Sequence, residues 1–213
     1  MSCILLSHPL IVSLKLVTNP KSSDMEPLTR EQILVVMGVT AVILLIIAKV
    51  WQKIWSVTLM DVQLTSNAIL GGLGVAGGII VASSIIYHLC PAYRQSADIY
   101  FKLIIRPLIW SDLIWLGLLP GLSEELLFRG IMLPALGLNL LAVILSSVIF
   151  GVLHSSGAQQ WPYVVWATIV GFVLGYSALV TGNLVVPIIA HIITNLVSSS
   201  LWKISKSMEM HSN

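Results

Sequence analysis

Charge is what this chain has least of. Only 9% of its 213 residues are Asp, Glu, Lys or Arg, while 57% are hydrophobic and the mean hydropathy is +0.95. A water-soluble domain carries roughly a quarter charged residues, and so few charges could not cover the surface of a soluble fold. An ordinary soluble enzyme is thereby excluded. The net charge is +2 and there is no basic run or aromatic–basic interleaving, so nucleic acid is not an expected partner. The two cysteines, Cys3 and Cys90, are far apart and match no CxxC or zinc-ribbon spacing; they read as unrelated buried thiols. The HExxH helix of zincins and the GxSxG elbow of serine hydrolases are both absent. Nor is there the internal repeat expected of a transporter.

What is present is a series of apolar runs. Six segments have the 18–25 residues needed to cross a ~30 Å hydrocarbon core: about 33–50, 67–90, 113–135, 138–155, 163–181 and 184–202. Only helices satisfy the backbone within single membrane segments, so the expected fold class is all-α, a polytopic transmembrane helical bundle. Residues 1–30 read as a segment outside the core. Their short apolar run is broken by His8, Pro9 and Lys15 and lacks a basic n-region, while Met25 reads as a second possible start, followed by a helix cap at Thr29. Residues 31–111 read as membrane helices plus a linker, 112–202 as the chemistry-bearing core and 203–213 as a polar tail.

The linker PAYRQSADIYFKLIIRPLIWSD is amphipathic. It is expected to lie along the membrane interface, with Tyr100, Phe101 and Trp110 at headgroup depth. Six spans place both termini on its side. That side then holds Lys15, Lys21, Arg30, Arg94, Lys102, Arg106, Lys203 and Lys206 against Lys49 and Lys53 opposite, which puts the termini in the cytoplasm or its plastid equivalent. The pairs Gly74/Gly78, Gly117/Gly121 and Gly171/Gly175 permit close helix approach and read as packing.

Between Leu113 and Trp202 the only formal charges are Glu124, Glu125 and Arg129. A charge in mid-membrane costs roughly 2.5–3.5 kcal/mol even on lenient scales, so such groups point to function. Glu125 and Arg129, four apart, share a helix face and can pair. Glu124 sits about 100° round the helix and serves another direction. One fixed and one adjustable carboxylate suit general-base work; the bland alternative is an ion pair that only holds helices together. Two further features weigh against the bland reading. His154 follows Phe150 by one turn at the end of the fourth segment, and His191 and Asn195 share a face of the sixth. Histidine supplies a metal ligand or a proton carrier, and an Asn amide can donate to an oxyanion. Together these groups could converge on one water, either bound to Zn²⁺ through Glu and His or held by the side chains directly. The reaction class is hydrolysis.

Glu124-Glu125-x-x-x-Arg129, Phe150-x-x-x-His154 and His191-x-x-x-Asn195 resemble, in order, the motifs of the CPBP intramembrane proteases (CAAX proteases and bacteriocin-processing enzymes, or Abi family), which include the type II CAAX prenyl endopeptidases. The resemblance implies a helical bundle with a conical, water-filled cavity. It implies that Glu124 activates the water, that Glu125 and Arg129 support it, and that His154 orients the water or binds metal. His191 and Asn195 would stabilise the oxyanion. It leaves zinc provisional, with Glu124, His154 and His191 as the metal residues. The expected partners are the bilayer and a membrane-anchored protein or peptide substrate. The stretches LPGLSEELLFRG, WATIVG and LVVPIIAHIITNLV are also similar to cyanobacterial and chloroplast members. That likeness implies a thylakoid or bacterial inner membrane, and a rival role as a non-proteolytic scaffold for membrane enzymes in chlorophyll homeostasis or thylakoid biogenesis.

Overall fold

The computed structural model describes residues 28–155, 157 and 160–211, with the side chains of 209–211 excepted; Cys3 and the expected start at Met25 lie outside them. The described chain is all-helical. α1 (Arg30–Trp55) is opened by the expected cap: the Thr29 hydroxyl accepts from the Gln32 amide, and the Gln32 side chain accepts from the Thr29 amide. α2 (Ser66–Leu89) is followed through Cys90 by α3 (Pro91–Ile104). α4 begins as Asp112–Glu125, widens into a π-helical stretch, Leu126–Met132, and closes with Leu133–Ala135. α5 (Leu140–Leu153), α6 (Trp161–Thr181) and α7 (Val185–His211) complete the chain.

Among the described residues, four helices are long and apolar enough to cross a membrane: Arg30–Trp55, Ser66–Leu89, Trp161–Thr181 and Val185–Met208. α5 is a shorter apolar helix, and α4 packs between α1 and α7. Large aliphatic side chains such as Val42, Ile46, Leu70 and Val81 are exposed along α1 and α2, which suits hydrocarbon and not water. The Arg30 guanidinium grips both oxygens of Asp112 at 2.7 and 2.8 Å, so α1 and α4 start at the same end of the bundle. Lys203, far along α7, donates to the Leu108 carbonyl at 2.6 Å and joins them there. At the opposite end the Met60 N–H donates to the Gly130 carbonyl within the π-helical stretch, and Gln63 and Asn183 exchange hydrogen bonds.

Close helix approach is real at two of the three expected glycine pairs. A Cβ on Gly121 would stand 2.5 Å from Cγ1 of Ile192, and one on Gly117 2.7 Å from Leu196, so α7 rests directly on the α4 backbone. Gly171 and Gly175 face Phe150 and Val143 of α5. Gly74 and Gly78 have no neighbour within 4 Å. Their spacing is the same, but they lie on a face of α2 that none of the described helices covers.

Two other expectations are corrected. Cys90 is exposed, because it occupies the junction of α2 and α3 at the edge of the bundle. Tyr100 and Phe101 turn inward: Tyr100 stacks on Tyr163 at 4.4 Å between ring centroids, and Phe101 packs edge-on to Trp202. Trp110 alone of the three is more than half exposed.

Candidate active site

The site grows from the turn where α4 changes pitch. Glu125 and Arg129 are completely buried, and the Arg129 Nη1 donates to Glu125 Oε1 at 2.7 Å. Nη2 of the same guanidinium donates to the Gly171 carbonyl on α6, also at 2.7 Å. The cation lies 4.7 Å from the centroid of the Phe150 ring on α5. Glu125 Oε1 is shared, for His191 Nδ1 on α7 is 2.7 Å from it. Since Oε1 already accepts from Arg129, the histidine must donate, which leaves the His191 Nε2 as a lone pair in the neutral ring. One ion pair therefore ties four helices together and fixes the tautomer of a histidine.

His154 is the C-cap of α5, and its Nδ1 is 2.8 Å from the Phe150 carbonyl. A carbonyl can only accept, so this Nδ1 also carries the proton and Nε2 is again the open nitrogen. Phe150 packs against both histidines, with centroids 4.5 Å from His154 and 6.0 Å from His191.

Glu124 serves the other direction, as expected. Its Oε2 is buried without a hydrogen-bond partner, 3.8 Å from His154 Nε2 and 4.0 Å from His191 Nε2. Three acceptor atoms from three helices thus face one another with no donor between them. Such an arrangement calls for a water or a cation in the middle. Two tetrahedral zinc ligands lie about 3.4 Å apart, and two partners of one hydrogen-bonded water about 4.5 Å. The observed spacings fall between these limits. Among the described residues, no three His, Cys, Asp or Glu groups stand ready to hold an ion. The donor chemistry of Glu124, His154 and His191 nevertheless fits zinc, after closure by a few tenths of an ångström.

These groups open into a cavity of about 470 Å³, which also contains Asn195. From Glu124 it extends to Tyr87, His88, Trp202 and Ser205, at the end of the bundle where Arg30 meets Asp112. α3 forms its roof. Asp98 accepts from Tyr87 of α2 at 2.8 Å and from Trp202 of α7 at 2.9 Å, which clamps the roof to two walls. Burial pushes the Tyr100 phenol up to about 12, and the Glu124 carboxylate adds to this, so the hydroxyl keeps its proton at neutral pH. A larger hollow of about 1250 Å³ lies at the opposite end, between α1 and Pro134–Leu138, but among the described residues its only ionisable wall residue is Asp61.

Four of the six residues singled out from the sequence, Glu124, His154, His191 and Asn195, line this cavity; Glu125 and Arg129 are fully buried beside it and do not line it. Comparison with known proteins supports a common origin. Residues 106–197 match the family described as type II CAAX prenyl endopeptidase Rce1-like. The uncharacterized protein YpbD of Bacillus subtilis (strain 168) is 30% identical over 145 residues, 68% of this chain and 71% of that protein. The chain belongs to the Rce1-like type II CAAX prenyl endopeptidase family. No solved structure matches it. The match to the Rce1-like family contains every motif residue but ends short of the roof, and neither finding bears on the cyanobacterial or plastid likeness. Sequence reasoning missed Thr194, whose buried Oγ1 also lacks a partner, and the inward rings of Tyr100, Tyr163 and Trp166. Within an apolar helix, periodicity does not separate a cavity wall from a lipid face.

Proposed function

We propose that this protein is an intramembrane endopeptidase that hydrolyses a peptide bond of a membrane-anchored substrate with a water activated by Glu124. The observation that carries the reading is the convergence of Glu124 Oε2 with the open Nε2 atoms of His154 and His191. A water placed there donates one hydrogen to Glu124 and the other to a histidine nitrogen. Glu124 takes a proton as the water oxygen adds to the scissile carbonyl, and returns it to the departing amine. Asn195, one turn along α7 from His191, supplies an amide donor to the oxyanion. Arg129 and Glu125 do not touch the reacting atoms; they hold His191 in place. Glu124, His154 and His191 are the residues that would hold a zinc ion, which supplies Lewis acidity and a more acidic water when bound.

The cavity extends toward the end bearing Arg94, Arg106 and Lys203, which the positive-inside rule assigns to the cytoplasmic side, so substrate access from that face suits this reading. A second reading, a non-proteolytic scaffold for membrane enzymes, draws on the network that joins Arg129, Glu125, His191 and Gly171 and would hold helices with or without catalysis. The test is complementation of a deletion strain by Glu124→Ala and His191→Ala, each checked for accumulation in the membrane. Loss of rescue with normal accumulation supports the endopeptidase. Full rescue by both variants overturns it in favour of the scaffold.

A further inference from the structure

The roof helix α3 has two faces of different chemistry. Its inner face is packed: Tyr93, Ser96 and Ala97 are buried. Tyr93 meets Trp166 edge-on, Tyr100 stacks on Tyr163, and the Ser96 hydroxyl accepts from the Tyr163 amide at 3.3 Å. These contacts cover the cavity. Gln95, Ile99, Lys102 and Leu103 are exposed, and their spacing of three and four sets them together on the outer face. Arg106, Ile109 and Trp110 continue the exposed strip through the turn after the helix.

The charge on this strip is of one sign. From Pro91 to Trp110 the chain carries Arg94, Lys102 and Arg106 against a single acid, Asp98. Asp98 is taken up by Tyr87 and Trp202. The ion pairs of the described residues, such as Arg30–Asp112 and Arg129–Glu125, include none of the three cations. Interleaved with them are apolar side chains, for Ile99, Leu103, Ile109 and Trp110 are each more than two-fifths exposed. A bilayer surface accepts both kinds at once: the apolar side chains enter the acyl boundary while the cations meet phosphate. An acidic protein would meet the cations and leave the apolar side chains between them in water. The strip also lies at the end that the positive-inside rule assigns to the cytoplasm, where the leaflet carries anionic lipid.

We infer that the outer face of α3 is a binding site for anionic phospholipids, whose phosphates meet Lys102 and Arg106 and whose binding holds the roof over the cavity. Arg94, at the edge of the strip, adds to the attraction. The coupling is short, because the cations and the rings that cover the cavity stand on opposite sides of one helix of 14 residues. It goes beyond the endopeptidase reading and does not depend on it, since it concerns the roof and not the chemistry at the floor.

The test uses the full chain in nanodiscs of phosphatidylcholine, alone or with about a third phosphatidylglycerol. Lipid retained by the released protein is counted by native mass spectrometry, and amide exchange is followed along α3. Each cation close to an anionic surface is worth about a five-fold gain in binding. Wild type is therefore expected to enrich phosphatidylglycerol over phosphatidylcholine at least about ten-fold, and exchange along α3 to slow at least about three-fold in the mixed discs. Lys102→Gln combined with Arg106→Gln should reduce both effects to less than about two-fold, with Tm in pure phosphatidylcholine unchanged because both side chains are exposed. Lys102→Arg with Arg106→Lys keeps the charge and should keep both effects. Lys49→Gln with Lys53→Gln, at the other end of α1 from Arg30, should leave them as in wild type. Equal retention of the two lipids, α3 exchange indifferent to lipid charge, or full enrichment by the double Gln variant overturns the inference. Equal slowing of α3 in phosphatidylcholine discs by soluble glycerophosphoglycerol overturns it in favour of a free phosphate site. The same slowing by poly-glutamate overturns it in favour of an acidic protein partner.

Discussion

Replacing Arg129 by methionine separates the structural work of the charged cluster from its chemistry. Methionine keeps most of the unbranched stem but removes both donors. Glu125, with no exposed surface, then keeps only His191 as a partner for a full negative charge. Removing one member of a buried pair costs about 3–5 kcal/mol. The lost cation–π contact with Phe150, 4.7 Å away, adds about 1–2 kcal/mol. For a chain of this size each kcal/mol moves Tm by roughly 2–4 °C, so the expected fall is on the order of 10 °C or more. The assay is thermal unfolding of detergent-solubilised protein, followed by its tryptophan fluorescence. The informative partner is Glu125→Gln combined with Arg129→Met. It removes the orphaned charge while the Gln Oε1 can still accept from His191 Nδ1, so it should recover at least half of the lost Tm. A single variant within 2 °C of wild type, or a double variant no better than the single, would refute the claim that Arg129 acts by neutralising Glu125.

Three further outcomes follow from the same geometry. Glu124→Gln should abolish peptide hydrolysis, at least 10²-fold, in a purified assay with a membrane-anchored reporter, and leave Tm within 3 °C because its Oε2 has no hydrogen-bond partner among the described residues; residual activity above a tenth of wild type would remove its role as base. Gly121→Ala places a Cβ 2.5 Å from Ile192, beside His191, and should cost about 1–3 kcal/mol in the unfolding assay. Adding Ile192→Ala should return part of that loss, and additive destabilisation by the pair would show that the contact is not the cause. Asp98→Ala frees the roof from Tyr87 and Trp202, with an expected cost of about 1–3 kcal/mol and faster hydrogen exchange along α3; unchanged exchange there would deny the clamp.

Most of the helical plan was legible because hydrocarbon imposes a length on each apolar run and forbids other backbone solutions. The Thr29 cap and the pairing of Glu125 with Arg129 were legible for local reasons, since both depend on residues one turn apart. What stayed hidden depends on distant partners or on which side of a helix is lipid. Arg30 and Asp112, 82 residues apart, carry no mark of their pairing. Gly74/Gly78 and Gly117/Gly121 share a spacing, yet only the second pair meets a helix, because lipid tails and leucines are equally apolar. Tyr100 and Phe101 look like headgroup anchors for the same reason, although both face protein. The π-helical stretch Leu126–Met132 has no compositional signature; it follows from how α4 must fit between its neighbours.

The sequence pairs two identical glutamates, and only their surroundings set them apart. Glu125 points to a guanidinium and a histidine, and its Oε1 is held by both at 2.7 Å. Glu124 points to two histidines whose open nitrogens can only accept. The orientation of those nitrogens is itself imposed: on His191 by Glu125, and on His154 by the Phe150 carbonyl. Arg129 therefore reaches the candidate reaction point through two intermediaries, by fixing the carboxylate that fixes the imidazole. This explains why an apolar core would tolerate three charges within six positions. An ion pair that only joined helices could be replaced by packed side chains at little cost. A pair that also sets which histidine nitrogen is open cannot be replaced without changing what Glu124 faces.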